Sequence, residues 1–67
     1  MEIMLNGEPV EIPADAQTVA GLLKHLDIDL RLVAVEINRD VVPKARYPEH
    51  ALAANDAVEI VSFVGGG

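Results

Sequence analysis

The residues with the clearest chemical potential are three glycines at the end of the sequence, Gly65-Gly66-Gly67. They follow a strand-like apolar segment, residues 58–64, so the terminal carboxylate is expected on a thin tail beside a folded body. Glycine has no Cβ, and a tail built from it can enter a narrow active site that excludes larger residues. Terminal glycines are also common in frayed chain ends. The tail alone therefore fits either a reactive end or an inert one.

No other set of residues in the sequence suggests catalysis or metal binding. The chain contains no cysteine, which removes disulfides, thiolate nucleophiles and thiolate metal sites. Its two histidines, His25 and His50, have no third ligand at a suitable spacing. No glycine-rich phosphate loop precedes a helix, and no Ser/His/Asp set is suggested. We therefore expect no metal site, no bound cofactor and no enzymatic activity of the chain's own.

Charge and hydropathy narrow the class of partner. Eleven acidic and five basic residues give a net charge of −6. Such a surface repels phosphate backbones, so no nucleic-acid partner is expected, and it favours a basic protein surface instead. No apolar stretch is long enough to span a bilayer, and no charged-then-apolar leader begins at Met1. The expected location is the cytoplasm, with no membrane partner.

The first half of the chain predicts a β-hairpin followed by a helix. Asn6-Gly7 is the strongest short signal for a hairpin turn, and strand-like residues 2–6 and 8–12 flank it. Pro9 cannot donate to a strand ladder, so the second strand is expected at a sheet edge. Thr18 is a good N-cap for a short helix, in which Gly weakens the first turns. The apolar face of this helix consists of Val19, Leu22, Leu23 and Leu26.

The second half of the chain predicts further strands around an irregular segment. Residues 33–38 alternate, and a turn then leads to a short strand at residues 41–42. Residues 44–57 show no regular pattern. The last strand, residues 58–64, is apolar on both faces, so we expect it in the middle of the sheet beside the first strand.

A chain of 67 residues makes one domain with a modest core and little room for a deep pocket. The order of elements predicts an α+β domain over residues 1–64, with a mixed sheet of four to five strands and one helix packed across one face. Residues 65–67 are predicted to be a flexible C-terminal glycine tail.

Alternation along the first and last strands divides their side chains between two faces of the sheet. Ile3, Leu5, Val58 and Ile60 are expected on the face that meets the helix. Met4, Val61 and Phe63 are expected on the other face, together with Glu59. If a single helix covers the sheet, Met4, Val61 and Phe63 form an exposed apolar patch at the base of the tail, here called the outer-face patch. Patches of this kind mark partner surfaces, unless residues 44–57 fold back over them.

Short motifs along most of the chain match one family pattern. They are Val35-Glu36-Ile37-Asn38, Val42-Pro43, the aromatic Tyr47, the acidic turn at Asp56, Val58-Glu59-Ile60 and the closing Gly66-Gly67. On these residues the chain resembles the sulfur carrier proteins of thiamin (thiazole) biosynthesis, a ubiquitin-like β-grasp family that ends in Gly-Gly. The family usually has tryptophan where Tyr47 stands, and Gly-Asp where this chain has Asn55-Asp56.

The resemblance implies a protein co-substrate that partner enzymes act on. In such a family an E1-like enzyme uses ATP and Mg²⁺ to adenylate the terminal carboxylate, here that of Gly67. Sulfur from a persulfide donor then replaces AMP, and the resulting thiocarboxylate supplies sulfur to thiazole synthase. Because Gly66 has no side chain, the chain next to Gly67 stays narrow, and Gly65 lengthens this narrow segment by one residue. Partner binding is assigned to the outer-face patch and Gly65.

Other functions share parts of this pattern. A sulfur carrier for molybdopterin synthesis or for tRNA thiolation would use the same tail chemistry with a different acceptor. A β-grasp interaction module would have the same fold and an inert tail. A protein-conjugating role would begin with the same adenylate, although no residue in the sequence points to a lysine-modifying cascade.

Overall fold

The computed structural model describes residues 1–63, which form a five-stranded mixed sheet with a helix on one face. The elements are β1 (Glu2–Leu5), β2 (Glu8–Glu11), α1 (Val19–His25), β3 (Val33–Ile37), β4 (Asp40–Val41) and β5 (Ala57–Ser62). The strand order is β2-β1-β5-β3-β4, with β5 parallel to β1 and the other neighbours antiparallel. The prediction that the last strand lies mid-sheet beside the first is confirmed.

Strand boundaries differ from the predicted ones by one or two residues. β1 and β2 each end one residue early. Asn6 enters the hairpin turn with a φ of 48°, whereas Ile12 has a buried side chain and still exchanges backbone hydrogen bonds with Met1 at 2.9 and 3.1 Å. β4 begins at Asp40 and ends before Val42, whose side chain is buried. β5 begins one residue early and ends at Ser62, and the predicted strand residue Val64 lies outside the described residues.

Helix α1 begins directly after Thr18, as the sequence predicts. The Thr18 hydroxyl accepts a hydrogen bond from the Gly21 N–H at 3.0 Å and so caps the helix. A Cβ at Gly21 would lie 3.1 Å from the Asp15 carbonyl oxygen, so the close approach of this segment favours glycine there. The helix ends at His25 with Leu26 as its C-cap, and Asp27 then has a φ of 60°. Within residues 1–63, no helix is long and apolar enough to cross a bilayer.

The irregular segment packs on the helix side of the sheet. Tyr47 and Leu52 are buried in the core, and the carbonyl groups of Tyr47 and His50 accept hydrogen bonds from Ala20 and Val19 at 2.9 and 3.0 Å. These N–H groups belong to the first turn of α1, where a helix has no partners of its own. Residues 44–57 therefore contribute side chains to the core and accept hydrogen bonds from the N-terminus of α1. They leave Val61 and Phe63 of the outer-face patch exposed.

The hydrophobic core lies between the inner face of the sheet, α1 and the irregular segment. Its largest fully buried side chains are Tyr47, Ile3, Ile12, Leu22, Leu23, Val19, Val35 and Val58. The face assignment from alternation is confirmed, because Leu5 and Val58 are register partners and Val35 is opposite Ile60. This leaves the opposite face of the sheet without a covering layer among the described residues.

The β3–β4 turn contains a backbone strain that a single substitution can relieve. Asn38 and Arg39 have φ values of 52° and 74°, the left-handed pair of a type I′ turn. Asn tolerates this region, whereas Arg has a steric cost that Gly avoids. We expect Arg39→Gly to stabilise the fold by about 0.5–1 kcal/mol, net of the greater freedom that Gly gives the unfolded chain. Thermal unfolding should report this as a rise of about 2–8 °C.

The control for this prediction is Arg39→Ala, which removes the same charge and keeps the Cβ. It should leave the unfolding midpoint close to that of the parent protein. An equal gain from Ala and Gly would instead assign the effect to the charge of Arg39.

Candidate functional site

The base of the glycine tail lies at the end of the central strand. β5 ends at Ser62, and the Phe63 N–H then donates to the carbonyl oxygen of Leu32 at 2.8 Å. Phe63 is the last described residue, and the predicted reactive residues, Gly65, Gly66 and Gly67, lie outside the described residues. The assignment of their roles stays a prediction, but the strand that presents them is fixed on both sides by β1 and β3.

The outer-face patch is exposed at two of its three predicted positions. Val61 is 52% exposed and Phe63 is 63% exposed, next to the point where the chain leaves the sheet. Met4 is partly buried between Pro9 of β2 and Ala57 of β5. The prediction that Met4 lies at the tail base is wrong, because Ala57 is the first residue of β5 and the tail follows its last residue. The apolar surface at the tail base is therefore centred on Val61 and Phe63.

Sequence reasoning missed one exposed apolar residue on the same face. Val41 is 68% exposed and is the register partner of Glu36, which in turn is opposite Glu59. The signal was present in the sequence, because one member of the Val41-Val42 pair must point outward in an alternating strand. Val41 extends the apolar part of the outer face to the edge strand β4.

Two carboxylates lie opposite each other in the centre of this face. Glu36 of β3 and Glu59 of β5 are register partners. Like charges directly opposite on one sheet face destabilise the sheet. Within residues 1–63 neither carboxylate forms an ion pair. A basic side chain of a binding partner would relieve this repulsion. The outer face of the sheet therefore offers both apolar side chains and a pair of carboxylates that favours a positive charge.

Two asparagine side chains form hydrogen bonds with the backbone of β5, one at its first residue and one within the strand. The Asn6 side-chain oxygen accepts from the Ile60 N–H at 2.8 Å and continues the pairing where β1 stops. The Asn38 side-chain oxygen accepts from the Ala57 N–H at 3.0 Å, and its amide donates to Asp56 at 3.0 Å. The motif residues Asn38 and Asp56 thus have a structural role, which is to position the strand that carries the tail.

The fold accommodates both departures from the family pattern, Tyr47 and Asn55. Tyr47 is 1% exposed, and burial raises the pKa of its hydroxyl. Asn55 has a φ of 69°, a conformation that Gly and Asn both accept, so Asn can stand at the usual Gly-Asp turn. Neither residue lies on the outer face. His25 is exposed on α1, and no group of three potential metal ligands occurs among residues 1–63.

An exposed ion pair stabilises the segment that holds Phe63. Asp29 caps the 3-10 helix Leu30–Leu32 through the Arg31 N–H at 2.9 Å, and its carboxylate lies 2.7 Å from a guanidinium nitrogen of Arg31. Hydrogen bonds from the Arg31 side chain and backbone lower the pKa of Asp29 to about 2. The charged carboxylate is therefore a fixed part of the helix next to the tail base.

This ion pair predicts that the folding stability depends on pH in the acid range. Because the pKa of Asp29 is lower in the folded chain than its ordinary 3.8, its stabilising contribution is present above pH 3.8 and is lost as the pH falls through about 2. A carbon-detected NMR titration of the Asp29 carboxyl should show a midpoint near 2. Arg31→Gln should move that midpoint towards 3.8, and the control Arg46→Gln should not. A wild-type midpoint near 3.8 would contradict the ion pair.

The fold and its site define a class of protein. This is a ubiquitin-like β-grasp protein whose central strand has an exposed apolar end and leads directly into a Gly-Gly-Gly sequence. The sequence model of the ThiS family matches residues 3–67, and the chain belongs to this family. The resemblance to the thiazole sulfur carriers is thereby confirmed.

Individual relatives agree with the family assignment. The sulfur carrier protein ThiS of Bacillus subtilis (strain 168) is 40% identical over 65 residues, which cover 97% of this chain and 98% of that protein. The crystal structure of the thiamine biosynthesis protein ThiS from Geobacter metallireducens has a TM-score of 0.84 at 32% identity, with both chains covered in full. The β-grasp fold is confirmed by this likeness.

Two longer relatives contain a segment that is similar to this whole chain. The thiazole synthase of Paramagnetospirillum magneticum is 45% identical over 67 residues, which are the whole of this chain and 20% of that protein. The thiazole synthase of Magnetococcus marinus is 43% identical over the same length and share. This chain thus spans about one fifth of the length of these two relatives.

Proposed function

We propose that this chain is the sulfur carrier protein for thiazole formation in thiamin biosynthesis, with the Gly67 carboxylate as the reacting group. The observation that carries the proposal is the match of the chain, almost end to end, to the sulfur carrier ThiS of Bacillus subtilis. The structure is consistent with such a role, since β5 leads from a rigid core directly to the terminal glycines.

The proposed chemistry occurs on the tail and uses groups that partner enzymes supply. An E1-like enzyme with ATP and Mg²⁺ joins the Gly67 carboxylate to AMP and releases pyrophosphate. This step is needed because a carboxylate is a poor acceptor for sulfur, whereas AMP is a good leaving group. The terminal sulfur of a persulfide donor then attacks the acyl-adenylate and displaces AMP, which gives an acyl disulfide. A second thiol of the partner enzymes cleaves its S–S bond, which releases the thiocarboxylate and leaves a disulfide on the partner. The chain is a carrier and not an enzyme, and it binds no cofactor of its own.

The folded domain contributes docking in this proposal. Val61 and Phe63 lie at the base of the tail, so a partner that binds them receives the tail at a high effective concentration. The unpaired Glu36 and Glu59 on the same face favour a basic partner surface, in agreement with the net charge of −6. We propose that the adenylating enzyme binds this face.

Thiazole synthase is the proposed acceptor of the sulfur. Two relatives with that name contain a segment similar to this whole chain within a longer protein. Covalent linkage of a carrier to the enzyme that it supplies would give the tail a permanently high local concentration at the active site. This supports thiazole synthase, rather than a molybdopterin or tRNA enzyme, as the partner. Such a pathway places the protein in the cytoplasm.

Intact-protein mass spectrometry tests the proposal. The purified chain is incubated with its adenylating enzyme, MgATP and a persulfide donor, and the expected result is a mass gain equal to the exchange of one oxygen for one sulfur. An unchanged mass with an enzyme that is active on another carrier would favour the inert interaction module. A deletion strain that grows without thiamin would contradict the assignment to thiazole formation.

A further inference from the structure

Three structural elements meet where the tail leaves the sheet. The Phe63 N–H donates to the carbonyl oxygen of Leu32, the last residue of the 3-10 helix Leu30–Leu32, at 2.8 Å. The Lys44 ammonium donates to the preceding carbonyl, that of Arg31, at 3.3 Å. Two consecutive carbonyl groups of one short helix therefore hold Phe63 and Lys44 side by side.

The Lys44 ammonium also contacts the ring of Phe63. Its nitrogen lies 5.4 Å from the ring centroid, within the distance of about 6 Å at which a cation is attracted to an aromatic face. Phe63 is thus held both by its backbone and by its ring, although its side chain is 63% exposed. We call this contact the Lys44–Phe63 clasp.

Lys44 itself is attached to the core. It begins the 3-10 helix Lys44–Arg46, which follows Pro43. The helix is followed by Tyr47, whose side chain is 1% exposed and whose N–H donates to the Lys44 carbonyl oxygen at 3.1 Å. The backbone of Lys44 is therefore held by a hydrogen bond from a buried residue, and the clasp connects this segment to Phe63.

We propose that Lys44 is a positioning residue for the reaction at the terminal carboxylate. By holding the Phe63 ring, it fixes the residue from which the chain continues towards the proposed reactive carboxylate. Lys44 does not touch the reacting atoms in this role. Orientation of this kind raises the rate of the chemical step, because small misplacements of a reacting group are costly. The inference rests on the proposed function, since it concerns the same reaction.

Steady-state thiolation kinetics of three variants test the proposal. Lys44→Met keeps an unbranched side chain without the cation, and we expect kcat to fall about two- to fivefold with KM unchanged, the effect of losing one exposed cation–π contact. Lys44→Arg keeps the cation and the donor, and should restore kcat. Lys24→Met removes the same charge from the exposed surface of α1 and should change neither constant.

A second measurement needs no partner enzyme. In the NMR spectrum of the chain alone, Lys44→Met should lower the heteronuclear NOE of the Phe63 amide, and Lys24→Met should not. An unchanged Phe63 amide in Lys44→Met would overturn the clasp. An effect on KM alone, or no rescue by Lys44→Arg, would overturn the positioning role. If the wild-type chain is not thiolated at all, the proposed function fails, whereas the NMR result still decides whether the clasp exists.

Discussion

Conversion of the Gly67 carboxylate to a carboxamide should abolish thiolation completely and leave the fold unchanged. The substitution replaces one oxygen atom by an NH₂ group and removes the terminal charge. An amide nitrogen is too weak a nucleophile to attack the α-phosphorus of ATP, so no adenylate forms and sulfur has no leaving group to displace. The core and its hydrogen bonds lie within residues 1–63, so the unfolding midpoint should equal that of the carboxylate form.

The amidated protein is best made by peptide ligation, and the matched control is the same ligation product with a free carboxylate. Intact mass after incubation with the adenylating enzyme, MgATP and a persulfide donor is the measurement. Only the carboxylate form should gain the mass of sulfur in place of oxygen. Equal gains by both forms would place the sulfur on another group and would remove the basis for a reactive tail.

Deletion of a glycine from the C-terminus is a less specific test of the reaction at the terminal carboxylate. Deletion of any one glycine from Gly65-Gly66-Gly67 gives the same product, which still ends in Gly-Gly. Such a variant changes only the length of the tail, by about 3.3–3.6 Å if it is extended. The carboxamide instead keeps the length and the width of the tail and changes only its chemistry.

The sequence was sufficient for the features that depend on local patterns. Asn6-Gly7 sets the hairpin, Thr18 sets the helix start, and alternation places Val61 outward, because each signal involves residues a few positions apart. The central position of β5 followed from its apolar character on both faces. The role of the terminal glycines stays a prediction, because Gly65, Gly66 and Gly67 lie outside the described residues.

The features that sequence reasoning missed depend on contacts between distant residues. The irregular segment buries Tyr47 through hydrogen bonds to the first turn of α1, which no periodic pattern signals. Gly21 looked only like a weakness in the helix, whereas a Cβ there would make a tight contact of 3.1 Å with the Asp15 carbonyl oxygen. The contact between Lys44 and Phe63 joins residues on two elements that only the fold brings together.

Val61→Asp should weaken binding of the adenylating enzyme about 30-fold or more and leave the tail chemistry intact. Val61 is 52% exposed at the tail base, so the folded chain alone should lose at most about 1 kcal/mol of stability. In a complex that covers the outer face, the new carboxylate would be desolvated on an apolar contact and would lie on the same face as Glu59. Loss of a central interface residue costs about 2 kcal/mol or more.

The measurements are the dissociation constant by calorimetry and a comparison of KM with kcat for thiolation. KM should rise by the same factor as the dissociation constant, and kcat at saturation should stay near the wild-type value, because the Gly67 carboxylate is unchanged. Leu30→Asp is the matched control. Leu30 is also an exposed apolar residue, 41% exposed, but it belongs to the 3-10 helix Leu30–Leu32 and not to the sheet. If Leu30→Asp weakens binding and Val61→Asp does not, the partner docks on the helix side and the outer face has another role.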